Sequence, residues 1–481
     1  MFERITDTIK SIVRAGANTA MSEREFFQQE IARWKNSAER KNQIIGERYY
    51  LGQHDILDRT RTVIGQNGQL QNVYNLPNNK IVDNQYGKMV DQKTNYLLGK
   101  PFTLQTDNEA YEEALNDVFN KRFHRLFQNL GEDSLNGGVG WLYVFYDETG
   151  EFSFKRFPPY EILPFWKDAA HTILDCVIRL YDVDGYEGRE FKITEKVEIY
   201  KNTGIERYTL AEGVLIEDVT LDYMTLKDKG YTWERVPIIA WKYNDEEIPL
   251  ICKVKNLQDA LNAALSDFMN NMQEDSRNTI LIIKNYDGEN LADFRYNLAQ
   301  FGAVKVKTVD GANGGVDALQ IAVNSENYKA LLEILKKAII ENAMGYDAKD
   351  DRMAGSPNQM NIQSMYSDID LDANGMETEY QASFEDLMFF VNAHLANTGV
   401  GRFENEEIEI VFNRDMMMNE TDVINNIKNS VGILSMETLI AQNPWVTDVA
   451  AEMKRLEAEK QKAMDAYDDA GGFPKKADDE K

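Results

Sequence analysis

Cysteine, histidine and proline are scarce in this 481-residue chain, at 2, 4 and 10 residues. Two cysteines cannot build a disulfide framework or a clustered thiolate metal site. Cys176 and Cys252 each fall in an apolar stretch, LDCVIRL and PLICKV, which predicts two buried free thiols. None of His54, His124, His171 and His394 pairs with another His or a Cys at ligand spacing, so each reads as a structural residue. The phosphate-binding loop, the zinc HExxH pattern, the GxSxG turn and the dinucleotide fingerprint are all missing. The chain therefore carries no enzymatic signature and implies no cofactor. No stretch approaches the roughly 20 apolar residues of a membrane span, and VGWLYVFY at 139–146 is the longest comparable run. The N-terminal MFERITDTIKSIVRAG holds acidic residues and no cleavage-type signal, so the expectation is a soluble, cytoplasmic protein without a membrane partner. Positive charge is short as well: 53 Lys and Arg against 80 Asp and Glu leave a net charge of −27. Proteins grip a duplex by neutralising phosphates, and so acidic a chain gains little affinity that way. Either it has nothing to do with DNA or it must not stick to it.

Apolar and aromatic residues, at 43% and 11%, are ample for packed cores, and the length suggests about three domains. Helical spacing dominates the first 130 residues: FFQQEIARWK, IVDNQYGKMVDQKTNYLLG, and YEEALNDVFNKRFHRLFQNL, the last read as one amphipathic helix. From 139 to about 241 short alternating runs take over, with turns at Asp184-Gly185 and Thr203-Gly204, predicting a β-rich domain. A long helix follows at 251–274, with Ile251, Val254, Leu257, Leu261, Ala264, Leu265, Phe268 and Met272 as its buried stripe. Residues 279–323 read as a small β-α-β-β insert, and a second helix runs from Asn324 or Ser325 to Gly345. A third stripe, from Ile362 through Ile369, Met376, Tyr380 and Leu387 to Leu395, advances in steps of three or four and predicts a helix of about ten turns. The remainder reads as short helices with polar starts at Thr421 and Ser435, ending in a polar tail, and the fold class is α+β.

Between the second and third helices lies KDDRMAGSPNQMN, residues 349–361, where Gly355 and Pro357 stop any helix. Further on, DLDANG at 370–375 fits the opening of a calcium loop, with Asp370, Asp372 and Asn374 as oxygen donors. That weak metal candidate fails at its twelfth position, Gln381, and at its eighth, Glu377, and the helical stripe runs straight through it.

The order of elements, with four strings, resembles the portal proteins of tailed bacteriophages, in particular those of long-tailed phages of Gram-positive bacteria and their prophages. The strings are NKIVDNQYGKMVDQKTNYLLGKPFTL (79–104), PPYEILPFWKD (158–168), VPIIAWKYNDEE through KNYDG (236–288) and SMETLIAQNPWVTDVAAEMKRLEAE (435–459). The resemblance implies a wing at 1–241 and 362–415, stem helices at 250–275 and 324–345, and a clip at 279–323. A crown at 417–465 and a tail at 466–481 complete the set. It places a tunnel loop beside DNA: Lys349, Asp350, Asp351 and Arg352, then Met353, Ala354, Gly355, Ser356, Pro357 and Asn358, then Gln359, Met360 and Asn361. Lys329, Lys336 and Lys337 are the expected channel-facing cations of the second stem helix.

It further implies a homo-oligomeric ring of about twelve subunits at one capsid vertex. That ring would conduct double-stranded DNA without sequence preference during packaging and ejection. Implied partners are the terminase large subunit, head-tail adaptor, major capsid and scaffolding proteins, with a location in the virion and, during assembly, the host cytoplasm. Twelve helices about 10 Å apart enclose a lumen of about 28 Å. A duplex passes it loosely, and net negative charge with isolated cations then gives weak, sliding contacts instead of a binding site. Three other readings stay open at this level: another phage structural ring protein, a metal-dependent enzyme using clustered carboxylates, or a calcium-binding protein using Asp370, Asp372 and Asn374.

Overall fold

The computed structural model describes residues 21–64, 69–72, 76–226, 229–275, 280–284, 315–319, 325–347, 359–414, 420–443, 445–446 and 449–469. Helix and sheet are mixed, and the chain divides into two compact units, 1–345 with 372–414 and 346–371 with 415–481.

The first unit begins with α1 (Glu23–Lys35) and α2 (Ala38–Tyr50). Ser22 and Ser37 start them by accepting the backbone N–H three residues on, and Glu25 closes a capping box on the first. A ribbon of β1 (Thr62–Ile64) and β2 (Leu70–Asn72) precedes α3 (Gln85–Leu98) and β3 (Thr103–Gln105). Then come α4 (Glu109–Val118) and α5 (Lys121–Gly137), which the sequence pattern had joined into one helix. The break is chemical: Asn120 Oδ1 accepts the N–H groups of Arg122 at 2.9 Å and Phe123 at 3.3 Å, starting a new helix with its own cap.

The β-rich region supplies β4 (Val139–Tyr146), β5 (Phe152–Phe157), β6 (Ile162–Trp166), β7 (Leu174–Glu187), β8 (Glu190–Lys201), β9 (Gly204–Ala211) and β10 (Val214–Leu221). Strands β6 to β10 form one antiparallel sheet in sequential order. Its inner face, with Cys176, Ile178, Leu180, Val197, Ile199 and Tyr208, is covered by Phe27, Ile31 and Trp34 of α1. The expected turn at Asp184-Gly185 lies instead inside β7, because Glu187 pairs with Glu190 and Gly188, at φ 68°, makes the turn. Lys201 pairs with Gly204, so the neighbouring turn falls at Asn202-Thr203.

After β11 (Met224–Leu226) and β12 (Lys229–Tyr231), β13 (Ile238–Lys242) completes a second sheet in the order β13-β4-β5. Against it lies an aromatic core: Phe127 meets Trp241 and Tyr380 edge-on with centroids 4.8 and 5.6 Å apart, and Phe102 meets Phe119, Phe123 and Phe384. Tyr380 belongs to the longest helix, and its hydroxyl lies 2.7 Å from Ser134 Oγ of α5.

The chain continues with α6 (Ile251–Asp275), β14 (Ile280–Lys284), β15 (Gly315–Leu319) and α7 (Ser325–Asn342). β14 and β15 pair antiparallel, and the helix and strand expected between them lie outside the described residues. The 40-residue α8 (Gln359–Thr398) is about 60 Å long, and every member of its expected stripe from Ile362 to Leu395 is buried. The short β16 (Glu409–Val411) returns to pair with β3.

In the second unit, α9 (Glu420–Asn429) starts one residue before Thr421, and α10 (Met436–Ala441) is capped by Ser435 through the Thr438 N–H. The 21-residue α11 (Val449–Asp469) is longer than the short helices expected and includes the start of the polar tail. Among the described residues, no helix is long and apolar enough to cross a membrane.

Candidate functional site

The α6 and α7 helices pack on each other, with Phe268 and Tyr328 rings 4.9 Å apart and Asn271 Nδ2 donating to Tyr328 Oη at 3.0 Å. Ile339, Ile340 and Ala343 bury the C-terminal end of α7. Away from the shared seam, Met269, Met272, Leu331 and Ile334 remain exposed, Ile334 by 63%. Thus Met272, expected in a buried stripe, faces outward. Cys252 is exposed too, because Ile251 and Val254 occupy the buried side of the first turn; Cys176 is buried.

What α6 buries instead is partly polar. Gln258, Asn262, Ser266 and Asn270, four residues apart, are at most 3% exposed and face the extended segment before α3. Asn270 Oδ1 accepts from Asn79 N at 2.7 Å, Ser266 Oγ from Ile81 N at 3.0 Å, and Asn262 Oδ1 from Asp83 N at 3.0 Å. Gln258 accepts from Tyr86 N at 3.0 Å and donates to Asp83 O at 2.8 Å. The matching is geometric: four helical residues rise about 6 Å and two extended residues about 6.6 Å, so Asn270, Ser266 and Asn262 meet alternate backbone amides, and Gln258 meets Tyr86, three residues on, in the first turn of α3. The side chains of α6 thereby stand in for a partner strand and satisfy donors that burial would otherwise strand. Asn262 also reaches His54, its Nδ2 lying 2.8 Å from the ring Nδ1, while Nε2 lies 3.1 Å from Tyr49 O. Burial holds His54 below its usual range, which suits a neutral ring in this network.

Two of the three expected channel cations are already engaged. Lys336 Nζ lies 2.7 Å from Asp83, and Lys337 3.8 Å from Glu341, while Lys329 is exposed. Within the subunit, then, Lys336 and Lys337 lie beside carboxylates and are not isolated charges. Of the expected loop, Gln359, Met360 and Asn361 form the first turn of α8, and 348–358 lie outside the described residues.

The calcium candidate at 370–375 is helical throughout, so its side chains cannot wrap an ion as a loop does. Asn374 accepts from Arg414 at 2.5 Å. Asp372 accepts from Lys93 Nζ at 2.6 Å and from Tyr243 Oη at 2.8 Å, with Lys253 at 3.8 Å. Lys93 is only 3% exposed and donates a second bond to Met344 O at 3.2 Å. Burial pulls its ammonium down to about 8 from the usual 10.5, although Asp372 works the other way. The sequence reading missed Lys93. Its signal was the position four residues after Met89 and four before Leu97, both on the buried side of α3. Among the described residues, no group of three or more His, Cys, Asp or Glu side chains is arranged to hold a metal.

Known proteins resemble the chain over nearly this whole arrangement. The family described as "Phage portal protein, SPP1 Gp6-like" matches residues 31–466. The portal protein of Bacillus phage SPP1 is 30% identical over 441 residues, which cover 89% of this chain and 86% of that protein. The portal protein of Clostridium phage phiCD119 is 28% identical over 459 residues, 91% of this chain and 97% of the other. The matched span contains both sheets, the paired helices with their polar ladder, and the 40-residue helix. The chain therefore belongs to the SPP1 Gp6-like family of phage portal proteins.

Proposed function

We propose that the chain is the subunit of a portal ring, about twelve copies around a central channel at one capsid vertex. The ring conducts double-stranded DNA during packaging and ejection. It also offers docking sites to the terminase large subunit, the head-tail adaptor, and the capsid and scaffolding proteins. It is a structural conduit, and the motor's ATP hydrolysis is supplied elsewhere.

On this reading 1–241 with 362–415 is the wing, α6 and α7 are the stem, 279–323 is the clip, and 417–465 is the crown. The segment 349–361 is the tunnel loop, with its helical end at Gln359–Asn361 joining the wing's long helix. The observation that carries the ring is the apolar outer face of the helix pair. Met269, Met272, Leu331 and Ile334 lie exposed on packed helices, where identical neighbours in a ring would cover them. The pairing of Lys336 and Lys337 with carboxylates supports a channel wall that does not grip phosphate.

Light scattering with negative-stain imaging at moderate salt tests the ring. Particles of about a dozen subunits with a hole on the order of 30 Å support it, and a defined dimer or tetramer without a channel refutes it. For the loop, residues 350–358 are replaced by a rigid linker. Unchanged DNA packaging by rings that still form rules out its role beside DNA.

A further inference from the structure

The chain leaves the first unit after Gly345 and returns at Asp372. One side chain touches both places. Lys93 donates to Met344 O, one residue before the exit, at 3.2 Å, and to Asp372 Oδ2, the residue of return, at 2.6 Å. Exit and return thus lie within reach of a single ammonium.

The surroundings fix each partner in turn. Tyr243 Oη donates to both oxygens of Asp372, at 2.8 and 3.0 Å, and Lys253 Nζ lies 3.5 Å from that hydroxyl. Met344 sits in the left-handed region at φ 52°, a conformation a non-glycine residue keeps only when its neighbours over-determine it. Gly345 is seated so closely that a Cβ there would meet Met89 Sδ at 2.6 Å and Gln92 Oε1 at 2.8 Å. A buried ammonium carries three N–H donors, and the ion pair with Asp372 leaves donors that burial requires to be satisfied, so a backbone carbonyl is taken as well. The consequence of these two bonds is that two distant chain positions are tied together.

We propose that Lys93 is a positioning residue that clamps the exit and return of segment 346–371 together, giving the segment one fixed base. The clamp stands on the geometry above. Its bearing on DNA rests on the portal reading, in which this segment carries the tunnel loop.

The test is the double variant Lys93→Met with Asp372→Asn in the full-length protein. It removes both buried charges yet leaves Tyr243 an acceptor, so no lone ion is stranded. Hydrogen exchange is read at the amides of Gly345 and Ala373, with β7 and β8 as internal reference. Exchange at least about tenfold faster at both positions, with the sheet unchanged, supports the clamp. Unchanged exchange at either position overturns it.

If the variant does not fold, the wild-type protein decides. A shared clamp opens both crossings together, so their protection factors agree within about tenfold, and a larger difference overturns the proposal. DNA packaging separates the two levels. Folded variant rings with loosened crossings should lose packaging at least tenfold, and normal packaging by them removes the role in conduction. Wild-type rings that do not package DNA refute the portal reading and leave the exchange result standing.

Discussion

Replacing Gln258 by Ala tests the idea that α6 holds an extended segment through side chains in place of a strand. Gln258 is fully buried and makes three bonds: it accepts from Tyr86 N at 3.0 Å and donates to Asp83 O at 2.8 Å and Asn262 Oδ1 at 3.1 Å. Truncation leaves the buried Tyr86 amide without a partner, at a cost of about 1–3 kcal/mol, and takes one of two bonds from Asp83 O, which keeps the Gln85 N–H at 2.8 Å. The Tyr86 amide also belongs to the first turn of α3, where no intrahelical acceptor exists, so the helix loses part of its cap. The vacated volume adds to the penalty. The expected total is about 2–4 kcal/mol, measured as the loss of urea-unfolding free energy of the first unit. Asn256, exposed on the same helix, is the control, and its change to Ala should fall within about 0.5 kcal/mol. Hydrogen exchange at the Tyr86 amide locates the effect, since that group should lose protection ahead of the global transition. A loss under about 1 kcal/mol with Tyr86 exchange unchanged would show that water serves this amide as well as Gln258 does, and would refute the reasoning.

Met344→Gly relieves a left-handed methionine and should raise stability by about 0.5–1 kcal/mol in the same urea assay, whereas a loss would mean the Met344 side chain contributes more than its backbone costs. Burial lifts the Asp133 carboxyl to about 7 from 3.8, despite Arg156 at 2.7 Å, with Glu47 and Glu132 adding to the rise. Its folded form thus holds a proton more firmly than the unfolded chain does. The contribution is fully present below about pH 4 and is lost as pH rises through 7. Each unit of such a difference is worth about 1.4 kcal/mol, so Asp133→Asn should measurably flatten the decline in stability between pH 4 and 7. An unchanged pH profile would place that decline in other groups.

Features that depend on transfer from water along a single element were legible in the amino-acid order. The stripe from Ile362 to Leu395 repeats over so many turns that only a helix with one face buried can satisfy it, and α8 is that helix. Alternation between 174 and 210 likewise specified paired strands with one side covered, and Ser435 marked a helix start by its own chemistry. The strings that resemble portal proteins also sufficed to indicate the family. Tertiary structure decided what depends on partners distant in the chain. Whether Gln258, Asn262, Ser266 and Asn270 face water or the amides of Asn79, Ile81, Asp83 and Tyr86 is invisible in the α6 sequence, because a polar side chain is equally satisfied by either. The displaced turn between β7 and β8 follows from cross-strand register, which no single strand encodes. Lys93 is the sharpest case. Its burial becomes tolerable only because folding brings Asp372 and the carbonyl of Met344 to one point, and that convergence belongs to the fold alone.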